Sequence, residues 1–418
     1  MENTYKKKAE KGSQKRKWGQ VLSMAVMMLV GGICGVYVGE YIVKVSEEKT
    51  AGEMIVIGIL FFLELYLALI LQIIIHEGGH LLFGLYSGYR FSSFRIGSFM
   101  WLKEGGSLKL KRLSIAGTGG QCLMCPPEMA DGKFPYILYN LGGVLMNLFS
   151  VIVFSILARM FQAWELVNIF CVIMVVIGIA YALLNGIPMH VGQIDNDGYN
   201  AWSLGKTPQA LKAFWLQMKI NERVAAGERL KSMPDEWFEI PSDEDMKNSM
   251  TAVKGVFACS RLMDQMKFDE ADKEMERLLD LDSGIVELHR QLMRNDQIYC
   301  ELVGERDKER LARLYDKEQL KFHKMMKNYP SILRTEYVYE LLYEENKEKA
   351  AKVLEKFEKH AKKYPHPHEI ESERELMGYA DRLAKADTDG EHKNNKAEEE
   401  ESRKQGGSTK KCRNGIRF

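Results

Sequence analysis

The chain has almost no net charge: 58 basic residues meet 57 acidic ones, leaving +1 overall. A balance of that kind gives no electrostatic footprint for nucleic acid, so no nucleic-acid partner is expected. Cysteine is also sparse. Seven residues scattered over 418 exclude the dense disulfide framework of a small secreted domain. Cys122 and Cys125 form one CxxC, but no second pair follows at zinc-ribbon spacing. They read as two reduced thiols rather than a structural zinc site. Histidine is sparse too, nine in all, so two of them four residues apart draw notice.

What is present is unevenly distributed. The first two hundred residues hold four long apolar runs, Val21–Val43, Met54–Ile75, Phe134–Ala158 and Leu166–Ile187. About 20 apolar residues cross a bilayer core, so each run is a candidate span. The first follows a basic leader, as a signal peptide does, but it is too long for a signal h-region and no small-residue cleavage site follows. It reads as a retained span. Positive charge falls on alternate connections: Lys6, Lys7, Lys8, Lys11, Lys15, Arg16 and Lys17 before the first run, and Arg90, Arg95, Lys103, Lys109, Lys111, Arg112 and Lys133 between the second and third. The other two links carry only Lys44 with Lys49, and Arg159. All four connections place both termini in the cytosol of a multi-pass cell-membrane protein.

These patterns predict an all-α membrane protein, a four-span helical transmembrane bundle with an inner-loop β-hairpin, followed by a soluble α-helical domain. The hairpin is expected from Phe91–Leu102 and Ser107–Ala116, split by Gly105 and Gly106. It suits strand pairing with an extended substrate and packing on the membrane surface equally. Residues 1–19 form a basic cytosolic leader, 20–200 the transmembrane domain, 201–386 a cytosolic helical domain, and 387–418 a polar tail expected to be disordered. Lys267-Phe268-Asp269-Glu270-Ala271 resembles the turn into the second helix of a tetratricopeptide-like hairpin. The spacing to Ala312 and Ala350 is not constant, so an irregular helical bundle fits as well.

The chemistry centres on His76-Glu77-Gly78-Gly79-His80. Histidines at i and i+4 lie on one face of a helix, one turn apart, where both imidazoles reach one zinc ion. Glu77 sits where a general base takes a proton from water. The motif closes an apolar run, and ionisable groups at membrane depth are usually kept for function. A catalytic zinc needs a third protein ligand. Candidates lie at the end of the fourth run, in Asn185-Gly186-Ile187-Pro188-Met189-His190-Val191-Gly192-Gln193-Ile194-Asp195-Asn196-Asp197-Gly198. The charge pattern puts that end at the same membrane face as His76 and His80. Asp195, Asp197 and His190 are the possible ligands, and Asp197 as a helix N-cap is the structural alternative.

HExxH in one span paired with an Asn-x-x-Pro and Asp-Gly segment in a later one resembles the site-2-protease family of intramembrane zinc metallopeptidases. Gly142-Gly143-Val144-Leu145-Met146-Asn147 is similar to that family's Gly-Pro-x-x-Asn element. The resemblance covers about residues 52–200. It implies Zn2+ bound by His76, His80 and an Asp, with Glu77 as the base and a membrane-embedded or membrane-proximal peptide as substrate. The Asp-Gly signature favours Asp197. Val144 departs from the family's Pro, and Asp197 follows Pro188 by nine residues where the family has about five. Asn147 is expected either to bind the substrate backbone or oxyanion, as the resemblance implies, or to join helices. Glu64, mid-way along the second run, suits a water path or a carboxylate buried between helices. The expected function is intramembrane zinc endopeptidase activity in regulated proteolysis, with a protein partner for the helical domain. An inactive, partner-binding scaffold and a metal transporter are the other classes, and the intact Glu77 and the nearly bare first and fourth runs weigh against them.

Overall fold

The structure, a computed structural model, describes residues 21–22, 24–37, 39–44, 50–104, 107–113, 119–191 and 194–408. Side chains are described to residue 387, apart from those of Glu104, Val191 and Ile194. The basic leader lies outside the described residues. The chain is mostly helical, and among the described residues four helices are long and apolar enough to cross a membrane: α1 (Met24–Lys44), α2 (Ala51–Tyr86), α3 (Ile137–Met160) and α4 (Glu165–Gly186).

Helix α2 starts at a capping box. Thr50 Oγ1 accepts from the Glu53 amide at 3.4 Å, and Glu53 Oε2 accepts from the Thr50 amide at 2.8 Å. The expected second span stopped at Ile75, but the helix runs on through His76-Glu77-Gly78-Gly79-His80 to Tyr86, 36 residues in all. At 1.5 Å per residue that is about 54 Å, against a hydrocarbon core of about 30 Å. It is apolar around its whole circumference and so carries no amphipathic stripe. Glycines set its crossing with α3. A Cβ on Gly79 would lie 2.2 Å from the Gly142 carbonyl oxygen, and one on Gly142 2.5 Å from that of Gly79. The two backbones touch, as small residues allow between apolar helices.

The connection between α2 and α3 is a four-stranded antiparallel sheet rather than one hairpin. Its strands are β1 (Arg90–Ile96), β2 (Phe99–Glu104), β3 (Ser107–Arg112) and β4 (Gly120–Cys125), in the order β3-β2-β1-β4. Gly97 takes a left-handed φ of +57° and folds the expected first stretch into two strands. The β2–β3 pairing brackets Gly105 and Gly106, which lie outside the described residues. Strand β4, Gly-Gln-Cys-Leu-Met-Cys, has too little alternation or β-branching to read as a strand; its pairing with β1 supplies the order. Cys122 and Cys125 sit buried on it without a disulfide.

After α4, a two-residue hairpin, β5 (His190–Val191) with β6 (Ile194–Asp195), leads into α5 (Asp197–Ser203) and α6 (Pro208–Ala225). Helix α6 places Leu211, Phe214 and Met218 in one apolar cluster with Tyr89, Cys122, Met124, Phe134 and Tyr139. Residues just beyond 200 therefore share a core with the sheet, and the expected domain boundary falls inside a compact unit. That first unit takes the chain up to Ala258 together with Leu281–His289 and Tyr364–His366.

The second unit takes Cys259–Asp280, Arg290–Lys363 and the chain from Pro367. It is built from the end of α7 (Ser249–Asp264), α8 (Phe268–Asp280), α9 (Glu287–Val303), α10 (Lys308–Leu314), α11 (Lys317–Met325), α12 (Pro330–Val338), α13 (Lys347–Ala361) and α14 (Pro367–Ser408). Helix α8 begins at Phe268, inside the phrase read as a helix start. Helix α14 continues to Ser408, through much of the segment expected to be disordered. Lys396, Ala397, Glu398 to Glu401 and Arg403 are all good helix formers, which outweighs their lack of apolar residues locally.

Candidate metal centre

Helix α2 brings His76 and His80 to one face, with ring centroids 4.8 Å apart. Both are buried. His76 fits because α3 has a glycine opposite it: a Cβ on Gly143 would lie 2.5–2.7 Å from the imidazole. Each ring donates its Nδ1 proton outward. His76 Nδ1 meets Asn147 Oδ1 at 2.7 Å, and His80 Nδ1 meets the Tyr139 carbonyl at 2.8 Å. An acceptor on Nδ1 leaves the lone pair of a neutral imidazole on Nε2.

The orientation of Asn147 is itself fixed from a backbone group. The Met174 carbonyl accepts from Gln72 Nε2 at 2.8 Å, which turns Gln72 Oε1 toward Asn147 Nδ2, also at 2.8 Å. Asn147 Oδ1 is thereby left for His76. Ser150 completes the group, accepting from Gln72 at 3.1 Å and donating to the Asn147 carbonyl at 2.7 Å. Asn147 is fully buried. Its amide bonds His76 and Gln72, both on α2, so in this structure it joins α3 to α2, one of the two roles expected of it.

The third donor is Asp197, the first residue of α5. Its Oδ2 lies 3.1 Å from His76 Nε2 and 3.4 Å from His80 Nε2, and the two Nε2 atoms are 3.2 Å apart. Ligands about 2.0–2.1 Å from a tetrahedral metal sit about 3.3 Å from one another. The three separations match the edges of such a tetrahedron. Asp197 Oδ2 is buried and has no partner besides the two imidazoles. Burial alone would raise the Asp197 pKa; the His80 and His76 imidazoles outweigh it and hold the carboxyl well below the usual carboxylate range. His76, His80 and Asp197 thus form a group able to hold a metal ion, and no other such group occurs among the described residues.

Asn196 places Asp197. Its Oδ1 accepts from the amides of Tyr199 at 2.9 Å and Met189 at 3.1 Å, and its Nδ2 donates to the carbonyls of Leu184 and Ile187, both at 2.7 Å. Those carbonyls are free because Pro188, lacking an N–H, ends α4. The N-cap of α5 is therefore Asn196, and Asp197 is not spent on capping. Gly198 follows for a packing reason: a Cβ there would lie 2.1 Å from the Gly186 carbonyl oxygen. Asp195 is committed elsewhere, to His190 Nδ1 and to Ser249 Oγ. Neither Asp195 nor His190 belongs to the donor set.

Glu77 lies within electrostatic reach of His80, His76 and Asp197. Its carboxylate rests against β4, where a Cβ on Gly120 would meet Glu77 Cγ and Oε1 at 2.7 Å. Arg95, buried on β1, donates to the Gly97 carbonyl at 2.7 Å; burial lowers its pKa and the nearby Glu77 charge opposes that shift. Glu64 stands 12 residues before His76, about 18 Å along the helix. Its Oε2 is buried without a hydrogen bond, and it takes no part in the donor set.

Sequence reasoning missed Gln72, Ser150 and Tyr139. Gln72 had a readable signal: it is the one amide in the second apolar run, one turn before His76. Tyr139 contributes a backbone carbonyl, which no side-chain pattern reveals. Compared with protein-family models, curated proteins and solved structures, the chain matches none.

Proposed function

We propose that the protein is an intramembrane zinc endopeptidase, similar to the site-2-protease family, that cleaves membrane-embedded or membrane-proximal peptide bonds in a signalling or precursor protein. The observation that carries this reading is the convergence of His76 Nε2, His80 Nε2 and Asp197 Oδ2 at tetrahedral edge distances, with Glu77 between the two histidines in sequence. Two imidazoles and one carboxylate suit zinc and leave a fourth position open. Four apolar helices support a multi-pass membrane location. The basic residues of the leader and of the sheet-bearing connection support an orientation with both termini in the cytosol.

In this mechanism His76, His80 and Asp197 would hold the ion, which when bound would acidify water and act as a Lewis acid. Glu77 takes a proton from the attacking water and delivers it to the leaving amine. Asn147 and the Tyr139 carbonyl keep both rings in the tautomer and plane that binding requires. Apolar helices around the centre hold bulk water away from it.

The test uses detergent-purified full-length protein, its metal content, and cleavage of reconstituted single-span peptides read by mass spectrometry. Glu77→Gln is expected to retain zinc and lose cleavage by about 10²–10⁴-fold. Undiminished cleavage by Glu77→Gln would sink the mechanism. Full zinc occupancy in Asp197→Ala, with loss in Asp195→Ala, would sink the ligand assignment.

A further inference from the structure

The carboxylate two residues before Asp197 is held from far along the chain. Asp195 Oδ1 is paired with His190 Nδ1 across the β5–β6 hairpin, whose register sets His190 opposite Asp195. Its Oδ2 accepts from Ser249 Oγ at 2.5 Å. The Asp195 side chain is 9% exposed, so these two partners are its surroundings rather than water. Ser249 opens α7, 54 residues later in sequence.

Ser249 is in turn backed by a third segment. The Gly284 amide donates to the Met246 carbonyl at 2.7 Å. Gly284 packs so closely that a Cβ on it would lie 2.5 Å from the Ser249 nitrogen and 2.7 Å from the Asn248 carbonyl carbon. Asn248 fixes the start of α7, its Oδ1 accepting from the amides of Met250 and Thr251 at 3.0 and 3.1 Å. Gly284 lies in Leu281–His289, a stretch that belongs to the first compact unit although α8 and most of α9, on either side of it, belong to the second.

We propose that Ser249 is a positioning residue for the metal ligand Asp197, acting through Asp195, and that the Leu281–His289 segment sets its place. This rests on the metal-centre reading above. Asn196 anchors Asp197 to the end of α4; the Ser249–Asp195–His190 chain anchors the hairpin that leads through Asn196 into Asp197. Backbone freedom in that hairpin moves the carboxylate relative to two histidines that α2 and α3 hold rigidly. The centre is therefore completed by chain outside the apolar helices, and a change in the Leu281–His289 segment reaches the metal through a hydroxyl and a carboxylate.

The test is Co2+ binding to the full-length protein in detergent, by titration and by the visible absorption bands of the bound ion, for wild type, Ser249→Ala, Ser249→Thr and Asp197→Ala. Ser249→Ala is expected to weaken binding about 10–100-fold, the range for partners that orient a ligand, and to shift the bands. Ser249→Thr, which keeps the hydroxyl, restores both. A wild-type Kd and spectrum in Ser249→Ala overturns the proposal. Equal losses in Ser249→Ala and Ser249→Thr also overturn it, since the hydroxyl is then not what matters. A wild type that holds no Co2+, or an Asp197→Ala variant that holds it undiminished, brings down the metal-centre reading itself and this proposal with it.

Discussion

The two compact units both bury polar groups, and one cluster from each makes a contrast. In the second unit, buried ions neutralise one another. Arg334, 2% exposed, donates to Asp296 at 2.7 Å, faces Glu373 at 3.2 Å and lies 4.6 Å over the Tyr299 ring. Arg310 grips both oxygens of Asp272 at 2.9 and 2.7 Å and Glu301 at 2.7 Å. Each cation is paired with its anions. In the first unit a chain of neutral groups, Gln72, Ser150 and Asn147, ends in two imidazole lone pairs and a carboxylate. That set holds one carboxylate and two imidazoles, with no Lys or Arg among its donors. Closed networks of the first sort hold a fold; an open one asks for an ion.

If this contrast is right, metal affinity and stability should separate cleanly between the units. The largest effect is expected from Asp197→Ala, which removes a ligand: zinc affinity should fall more than about 1000-fold, beyond the 10–100-fold range of outer-shell changes. Competition with a chromophoric chelator measures it. Next, Arg334→Ala leaves Asp296 and Glu373 buried beside no cation. It should destabilise the second unit by about 3–5 kcal/mol while zinc affinity stays at the wild-type value. Denaturant unfolding followed by far-UV circular dichroism, beside the same zinc titration, reads both. A shared loss in both assays would break the comparison.

Asn147→Ala is the converse. It should weaken zinc about 10–100-fold by releasing the His76 ring and leave the unfolding of the second unit unchanged. The smallest effect is a pH dependence confined to the second unit. Burial and the nearby Asp296, Glu369 and Asp264 carboxylates push Glu373 up to about 7, against the pull of Arg334. A carboxyl whose folded pKa exceeds its unfolded one binds more protons when folded. Its contribution is therefore favourable at low pH and is lost as pH rises from about 4.5 through 7. Between pH 5.5 and 8 the unfolding midpoint of the second unit should fall, and Glu373→Gln should flatten that slope. A midpoint that rises over this interval in the wild type alone would contradict the assignment.

Much of the candidate centre was legible in the sequence because helical spacing is a local rule. His76 and His80 at i and i+4 had to share a face, and Asp197 stood out beside Gly198 after an apolar run broken by Pro188. The role of Asn147 was not legible, since an asparagine facing a substrate and one holding a histidine look alike along a chain. The sheet was underestimated for a related reason. A strand such as β4 gains its hydrogen bonds from β1, some thirty residues earlier, and carries little preference of its own.

The sequence alone determined the four apolar helices, the histidine pair with Glu77, and the charge pattern of the connections, because each follows from composition or from spacing within one helix. Only the tertiary structure decided which aspartate faces the two histidines. Asn196 takes the helix cap, Ser249 takes Asp195, and Asp197 alone is left facing the histidines. Those three outcomes depend on hydrogen bonds between residues up to 54 positions apart, and no local rule specifies which polar group will find which partner.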